Sequence, residues 1–559
     1  MPVKETATIF YGGDIVTLDD QLPSPEALLV RGEKIAGVGS LDELVVATPD
    51  AEPFDLAGGC LIPSLIDHHL HLTAIGLALL NEQEGGRLFL DLAGEPSGAA
   101  IIERVAERAA LVKPGDWILG MGWNQHDWGT HELPVHEALS RAVPDHPVFL
   151  VRVDAHSAWV NEAAMRRAGI TKASKDPKGG AVLRGAGGAP TGILLERAVE
   201  PVLAEIPVAA GWEVREAFKL AARALAARGV TEVFDAGFMA SPAIVSLGVD
   251  LELYFELLGW ADADEPLPVN VNLMIPAPSP FADKVVADPG AFSGTSPRIR
   301  ITHIKLYADG AFGSRGAALT HPYADDPSTR GLLRMSDAEI EHETRRALAA
   351  GLDIATHAIG DDAVHRVLAA YCRVADDFGD VDPHRFRIEH FGYSSEDDMK
   401  LAAERGFLLV AQPNFIDPDD NGVMMEDHRL GTANAPRVYP WKTLLNLGAS
   451  LAMSSDYYIA PGPPLLDFTT AVTRANRRNR PADGWQPQER LSRRESLELA
   501  TRLHPCGGKP CGGILRPGER ADLAALSANP QTAPADDLLA IEVQATFRAG
   551  APTHRDPHG

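Results

Sequence analysis

Short apolar runs alternate with amphipathic stretches along the middle of the chain, the pattern typical of a parallel α/β fold. Eight runs predict strands, and segments with helical spacing of apolar residues separate most of them. Eight such units predict a (β/α)8 barrel of the TIM type, whose chemistry gathers at the carboxyl ends of the strands. The predicted strands cover residues 61–70, 230–236, 269–275, 300–307, 352–357, 386–390, 407–412 and 449–455.

Both ends of the chain have a different pattern, with short alternating strands joined by glycine-rich turns. Residues 1–60 contain hairpin signals such as Gly12-Gly13-Asp14, but a segment of this length is too short to build a good core alone. Residues 501–559 also alternate and carry the turn residues Pro517-Gly518. We therefore expect a small β-sandwich built from both termini, with the metal-dependent barrel between them in residues 61–500.

Residues 71–229 separate the first two predicted barrel strands, far more than a single crossover connection needs. An insertion at about residues 75–210 must fill much of this gap. It contains strand-like runs of its own at Trp117–Trp123 and Val148–Val153. Because the insertion leaves the barrel at the carboxyl end of the first strand, we expect it to lie over the mouth of the active site.

The composition is that of an ordinary globular protein, with 45% hydrophobic and 23% charged residues. The formal net charge of −26 disfavours nucleic acid or an anionic membrane surface as a partner. The N-terminus lacks a basic region followed by an apolar core, and no apolar run is long enough to span a bilayer. We expect a cytoplasmic protein with a small-molecule substrate. A barrel of this size is compatible with a homodimer, although no residue pattern specifies one.

The first predicted strand ends in a group of histidines. Its sequence is Leu61-Ile62-Pro63-Ser64-Leu65-Ile66-Asp67-His68-His69-Leu70-His71. Alternate residues of a strand face the same side, so we expect Asp67, His69 and His71 on one face and His68 and Leu70 on the other. Two imidazoles two positions apart can hold one metal ion, although a pair of histidines bonded to backbone would give the same sequence.

Further ionisable residues occur at the ends of later predicted strands, namely Lys305, His357, His390 and Asp456. Each alone has an ordinary explanation, such as a salt-bridged lysine, a core histidine or an aspartate that caps a helix. A barrel brings its strand ends together in one ring, however, and the coincidence of these residue types favours a metal centre. Lys305 is the most unusual member, because a charge within an apolar strand is costly unless it is compensated.

The ordered set of these residues resembles the amidohydrolase superfamily, and within it the YtcJ-like branch, over nearly the whole chain. The resemblance rests on Asp67-His68-His69-Leu70-His71, on Lys305 within residues 304–317, and on His357, His390 and Ser455-Asp456. Residues 154–161, 190–194 and 513–523 are also similar to this branch. Tyr457-Tyr458 departs from the branch, where a Trp-Pro-like pair is expected, and this departure concerns the substrate pocket.

The resemblance implies a metal-dependent hydrolase of a non-peptide C–N bond, such as an amide, formamide or cyclic amide. The implied metal ligands are His69, His71, Lys305, His357, His390 and Asp456. These ligands suit one or two Zn²⁺ ions, and other divalent ions are compatible with them. By the same resemblance, CO₂ would carboxylate Lys305 to a carbamate that bridges two ions.

The implied mechanism uses a metal-activated hydroxide. Asp456 would take its proton and pass it to the leaving nitrogen, acting as general base and then as general acid. His390 and His156 are the other catalytic candidates. Candidates for substrate contacts are Trp123, Trp159, Tyr307, Asp309 and Arg315. Since most aromatic residues pack in cores, only several of them together would indicate a substrate with an apolar part.

Three other functions fit parts of this pattern. A deaminase of a heterocyclic amine would use a single metal ion and an unmodified Lys305, whereas amide hydrolysis would use two ions and the carbamate. A catalytically inactive barrel that serves as an assembly protein should lack ligands, whereas all six are present here. A metal-free barrel enzyme is the remaining alternative, which metal analysis of the purified protein would test.

Overall fold

The chain combines a parallel barrel, a β-sandwich and a separate sheet within an insertion. The structure is a computed structural model. This is the α/β architecture predicted from the alternation of apolar runs. The structure describes residues 6–22, 24–128, 132–207, 211–237, 251–292, 296–419, 421–460, 462–463, 465–502 and 512–556.

Eight parallel strands form the barrel, and each pairs with the next along the chain. β8 and β1 meet at their carboxyl ends, where the Asp456 amide donates to the His69 carbonyl at 2.8 Å and the His71 amide to the Tyr457 carbonyl at 2.6 Å. The eight predicted strands are confirmed, so their ends form one ring. We label them β1 to β8: Leu65–Leu70, Val230–Asp235, Asn270–Pro276, Ile299–Tyr307, Asp353–Ala358, Phe386–His390, Leu408–Ala411 and Ser450–Met453.

Amphipathic helices surround the barrel. Asp361–Phe378, for example, buries Val364, Val367, Leu368 and Tyr371, at the spacing of one helical face. No helix in the described ranges combines the length and the apolar character needed to cross a membrane. The barrel helices are Leu72–Gln83, Gly211–Ala226, Leu251–Asp264, Pro280–Ala287, Asp337–Ala349, Asp361–Phe378, Glu396–Arg405, Met425–Leu430, Trp441–Asn446, Leu466–Thr473 and Arg493–Thr501.

The run predicted as one strand at residues 61–70 is divided between two sheets. Cys60–Pro63 pairs with Leu523–Leu526 in the sandwich, whereas β1 begins at Leu65. Pro63 has no backbone N–H to extend a ladder, which explains why the first pairing ends there. The chain therefore passes from the sandwich into the barrel through Ser64 alone.

A shared hydrophobic core joins the two ends of the chain. Phe10 and Phe547 meet edge to face with ring centroids 5.0 Å apart, and Leu61 and Leu523 are buried in the same core. This confirms a sandwich built from both termini. Its sheets are Ala7–Tyr11, Ala27–Arg31, Lys34–Gly39 and Glu52–Asp55 on one side, and Asp14–Ile15, Cys60–Pro63, Leu523–Leu526, Val543–Arg548 and Ala551–Arg555 on the other.

The insertion after β1 has a six-stranded sheet with cores on both faces. Phe149 and Val151 pack in one core, and Val148 and Leu150 in the other, as alternate residues of a strand should. The sheet consists of Leu90–Asp91, Ile118–Trp123, Val148–Arg152, Ser157–Val160, Gly180–Arg184 and Pro190–Glu196, and the main helices are Gly98–Ala109, His136–Ala142 and Glu162–Arg167.

Replacing Phe547 by alanine should destabilise the sandwich, since the ring packs against Phe10 and Phe54. We expect the free energy of unfolding to fall by about 3–5 kcal/mol, the usual cost of removing a buried aromatic ring, as measured by urea denaturation. Val46→Ala is the control, because Val46 is 82% exposed. An unchanged unfolding midpoint in Phe547→Ala would contradict this packing.

Candidate metal centre

Four histidines from three barrel strands meet at the carboxyl end of the barrel. The ring centroids of His69 and His71 are 5.6 Å apart, and those of His69 and His390 are 5.1 Å apart. The ring of His357 lies 4.5 Å from that of His390. All four side chains are buried, none being more than 5% exposed. The strand-end histidines singled out from the sequence therefore form one contiguous group.

Asp456 and Lys305 lie in the same group. Asp456 Oδ1 is 3.2 Å from His71 Nε2 and 3.6 Å from His69 Nε2, and His69, His390 and Asp456 can offer ligand atoms within 4.8 Å of one another. Among the described residues, Lys305 Nζ and Asp456 Oδ1 are buried atoms with no hydrogen-bond partner. A divalent cation would be the partner that Asp456 Oδ1 lacks, and imidazoles with a carboxylate are suitable ligands, so the group fits a bound cation.

Backbone carbonyls orient two of the imidazoles from behind. His71 Nδ1 lies 3.1 Å from the carbonyl oxygen of Gly237, and His357 Nε2 lies 3.3 Å from that of Gly310. Because a carbonyl only accepts, these two nitrogens carry the protons. The other ring nitrogen, Nε2 of His71 and Nδ1 of His357, is therefore unprotonated and available as a ligand, as in protein metal sites.

Side chains orient the other two imidazoles. His69 Nδ1 lies 2.6 Å from Glu389 Oε2, and His390 Nδ1 lies 2.9 Å from Gln412 Oε1. Gln412 is itself fixed, because its amide nitrogen donates to Ser454 Oγ at 2.9 Å. Both imidazoles therefore present Nε2 to the group, and the donor set suits a divalent cation.

Burial favours the neutral form of His69, His357 and His390. Burial lowers the pKa of His69 and His357, assisted by nearby Lys305 and His390 respectively, and lowers the pKa of His390 to about 3. Burial also lowers the pKa of Lys305 to about 8, although nearby carboxylates oppose the shift. Neutral imidazoles are the form that binds a cation. The neutral lysine amine is the form that reacts with CO₂.

Two members of the group have unusual backbone conformations. His390 has a φ of 74° and Asp456 a φ of 50°, in the left-handed region that residues other than glycine seldom adopt. Each costs about 1–3 kcal/mol and persists only where the surrounding structure imposes it. For Asp456, the hydrogen bond from its amide to the His69 carbonyl provides part of that constraint.

The expectation that Asp67 shares a face with His69 and His71 is wrong. Asp67 pairs with Val233 but Leu70 pairs with Asp235, so three steps along β1 match two along β2. This irregularity breaks the alternation of side chains. The carboxylate of Asp67 accepts hydrogen bonds from the amide and hydroxyl of Ser455 instead.

The insertion places His156 beside the barrel histidines. Its ring centroid lies 5.0 Å from that of His357, and its Nδ1 lies 2.9 Å from Glu196 Oε1. Arg334 Nη1 lies 2.9 Å from the other oxygen of Glu196. Burial disfavours a charge on His156, but Glu196 and Asp154 outweigh it and raise its pKa above the ordinary value.

Tyr307 and Asp309, predicted as substrate contacts, lie close to the group. Lys305 Nζ is 5.2 Å from the ring centroid of Tyr307. Asp309 accepts hydrogen bonds from the backbone amides of Ala318, Ile359 and Gly360 at 2.8–3.0 Å. Asp309 thus joins the loops after β4 and β5.

The structure places the other three substrate candidates in contacts of their own. Trp123 and Trp159 are buried in the core of the insertion, where Trp123 Nε1 donates to the Leu150 carbonyl at 2.9 Å. Arg315 forms an ion pair with Asp325 at 3.1 Å. Trp159 Nε1, unlike that of Trp123, has no hydrogen-bond partner among the described residues.

Glu389 and Gln412 were missed in the sequence. Glu389 directly precedes His390, and alternation along β6 would put the two on opposite faces. The left-handed backbone of His390 removes that restriction, so both side chains reach the barrel interior. The available signal was a pair of charged residues, Arg387 and Glu389, two positions apart in an otherwise apolar strand.

Comparison with known proteins gives matches over most of the chain. A sequence model described as the amidohydrolase family matches residues 52–554. A putative amidohydrolase, YtcJ of Bacillus subtilis, is 29% identical over 546 residues, which cover 97% of this chain and 98% of that protein. An N-substituted formamide deformylase of Arthrobacter pascens is 26% identical over 565 residues, which cover 97% of each chain.

A solved structure is similar over the same extent. A metal-dependent hydrolase from Pyrococcus horikoshii superposes with a TM-score of 0.68 and 27% identity, covering 95% of this chain and 99% of that one. The similarity therefore includes the sandwich and the insertion as well as the barrel.

Proposed function

Because the chain belongs to the amidohydrolase family, we propose that it hydrolyses a non-peptide C–N bond in a small amide, with an N-substituted formamide or a related N-acyl amine as substrate. The observation that carries the proposal is the convergence of buried imidazoles, Lys305 and Asp456. Within this group, Lys305 Nζ and Asp456 Oδ1 have no hydrogen-bond partner among the described residues. The relative from Arthrobacter pascens, an N-substituted formamide deformylase, supports the substrate class.

We assign the ligands to two divalent ions, with Zn²⁺ as the best match to imidazole and carboxylate donors. His69, His71 and Asp456 would hold one ion, and His357 and His390 the other. A lysine ammonium would repel both, so Lys305 is proposed to carry CO₂ as a carbamate, whose negative charge would favour the binding of divalent ions. A buried Nζ without a partner supports this modification over the deaminase alternative, which needs an unmodified lysine.

The chemistry divides between the cations and the residues of the chain. Bound divalent ions would acidify a water molecule and polarise the substrate carbonyl. Asp456 accepts a proton from the attacking water and delivers it to the leaving nitrogen. The water oxygen bonds to the carbonyl carbon, the C–N bond breaks, and a carboxylic acid and an amine are released. His156, fixed by Glu196, is proposed to contact the substrate beside His357.

Removal of metal should abolish the activity, because the neutral imidazoles and Asp456 have no other way to activate water. The purified protein is treated with a chelator, and release of formate and amine from N-formyl and N-acyl amines is measured before and after Zn²⁺ is restored. His69→Ala and Asp456→Asn should each reduce kcat/KM by about 10³-fold or more with the fold intact. The exposed Glu404→Gln is the control. Activity that survives without metal would refute the proposal.

Lys305→Ala should lose both activity and bound metal, since the bridging carbamate is removed. A short carboxylate such as propionate should restore part of both. In the wild type, ¹³CO₂ should give a carbamate signal in ¹³C NMR that Lys305→Ala lacks. Lys400→Ala, at an exposed position, should match the wild type. Full metal content in Lys305→Ala would argue against the carbamate.

His156→Ala should lower kcat by about 10²-fold or more without loss of metal, because His156 is proposed to contact the substrate and not a cation. Steady-state kinetics and metal analysis of the same preparation test this. His342→Ala, an exposed histidine of the helix Asp337–Ala349, is the matched control. If kcat and KM are both unchanged in His156→Ala, the role is dismissed.

A further inference from the structure

An ion pair lies in the barrel interior beneath the histidines. Arg387 and Glu389 are both 0% exposed, and Arg387 Nε donates to Glu389 Oε1 at 3.0 Å. The face of the guanidinium lies 4.8 Å from the ring centroid of Phe234. A pair buried this deeply gives little net stability, because the cost of removing both charges from water offsets their attraction. A structural role alone therefore does not account for it.

Glu389 connects this ion pair to the candidate metal centre. While Oε1 accepts from Arg387, Oε2 lies 2.6 Å from Nδ1 of His69. The carboxylate accepts, so the proton of His69 is on Nδ1. Nε2 is then unprotonated, and it is directed toward Asp456, whose Oδ1 is 3.6 Å away.

The partner of His69 differs in kind from those of the other candidate ligands. His71 and His357 bond to backbone carbonyls, and His390 bonds to the neutral amide of Gln412. His69 has a carboxylate at 2.6 Å, the shortest of the four distances, whereas the carboxylate oxygen near His357, Asp309 Oδ1, lies 3.5 Å from its Nε2. A charged acceptor holds an N–H more strongly than a neutral one, and it makes the imidazole a better electron donor.

Arg387 holds Glu389 from the side opposite His69 Nδ1. Its Nη2 lies 3.4 Å from Glu389 Oε2 and also donates to the His68 carbonyl of β1 at 2.6 Å. The guanidinium thus bonds to the carboxylate on β6 and to the backbone beside His69. Together with the contact to His69 Nδ1, these bonds hold the carboxylate between Arg387 and His69.

We propose that Glu389, held by Arg387, is a positioning residue that fixes the Nδ1-protonated tautomer of His69 and thereby raises the affinity of the site for a divalent cation. The inference rests on the proposed function, since it requires His69 to be a metal ligand. It concerns the protein's own hydrogen bonding, however, and is measurable without a substrate.

The first test is metal affinity. Glu389→Gln keeps the size of the side chain and removes its charge, and the dissociation constant for Zn²⁺, measured by competition with a chromophoric chelator, should rise about 10–100-fold. Glu404→Gln, exposed on the helix that follows β6, should show the wild-type constant. Equal constants for Glu389→Gln and wild type would overturn the inference. A wild type that binds no divalent ion would overturn the proposed function instead.

The second test reports the tautomer directly. In Co²⁺-loaded wild type, the buried Nδ1–H of His69 should give a shifted, slowly exchanging proton signal, which Glu389→Gln should move or lose and Glu404→Gln should keep. Should Glu389→Gln fail to fold, ¹⁵N-histidine spectra of the Zn²⁺-loaded wild type decide the question alone. Protonation of His69 at Nδ1 supports the inference, and protonation at Nε2 overturns it.

Discussion

The structure depends on one constraint: ionisable side chains from β1, β4, β5, β6 and the end of β8 are buried together at one point. Such a group is costly unless each polar atom has a partner. The imidazoles obtain theirs on their outer sides, from carbonyls, Gln412 and Glu389. On the inner side, Lys305 Nζ and Asp456 Oδ1 have none among the residues described. A divalent cation at this point would supply the partner that Asp456 Oδ1 lacks.

The need to bury these side chains together explains why the barrel, the sandwich and the insertion all contribute to the candidate metal centre. The sandwich leads directly into β1 through Ser64, so the strand that carries His69 is anchored at its start by a hydrophobic core outside the barrel. The insertion adds His156 through Glu196, which also binds Arg334 after β4. Each unit thus contributes rigidity or a side chain to the carboxyl end of the barrel, which fits the extent of the similarity to known proteins.

Features that depend on local sequence could be predicted, whereas features that depend on contacts between distant segments could not. The eight strands and the ligand candidates could be recognised from short segments of sequence. An apolar run followed by a polar residue indicates the end of a strand, without knowledge of the segments that pack against it. The position of Asp67 depends on the register of β1 against β2, and the division of residues 61–70 depends on a strand near the C-terminus. The burial of Trp159 requires the fold of the insertion, and Glu389 reaches His69 only because His390 has a left-handed backbone. Pro63 and the charged pair Arg387 and Glu389 are local signals at two of these places, but neither specifies the distant partner.

The buried charges give a final argument about the lysine. Arg387 and Glu389 form an ion pair, and the charge of Asp456 acts on Lys305 in the same group, so these side chains carry no large excess of negative charge. Adding a divalent cation would leave an excess of positive charge in a region of low dielectric constant, where it is costly. Carboxylation of Lys305 would replace a positive charge by a negative one, which would reduce that excess by two units whether one divalent cation or two are bound. The balance of Arg387 and Glu389 stays unchanged, so Glu389 remains available to His69 in either state.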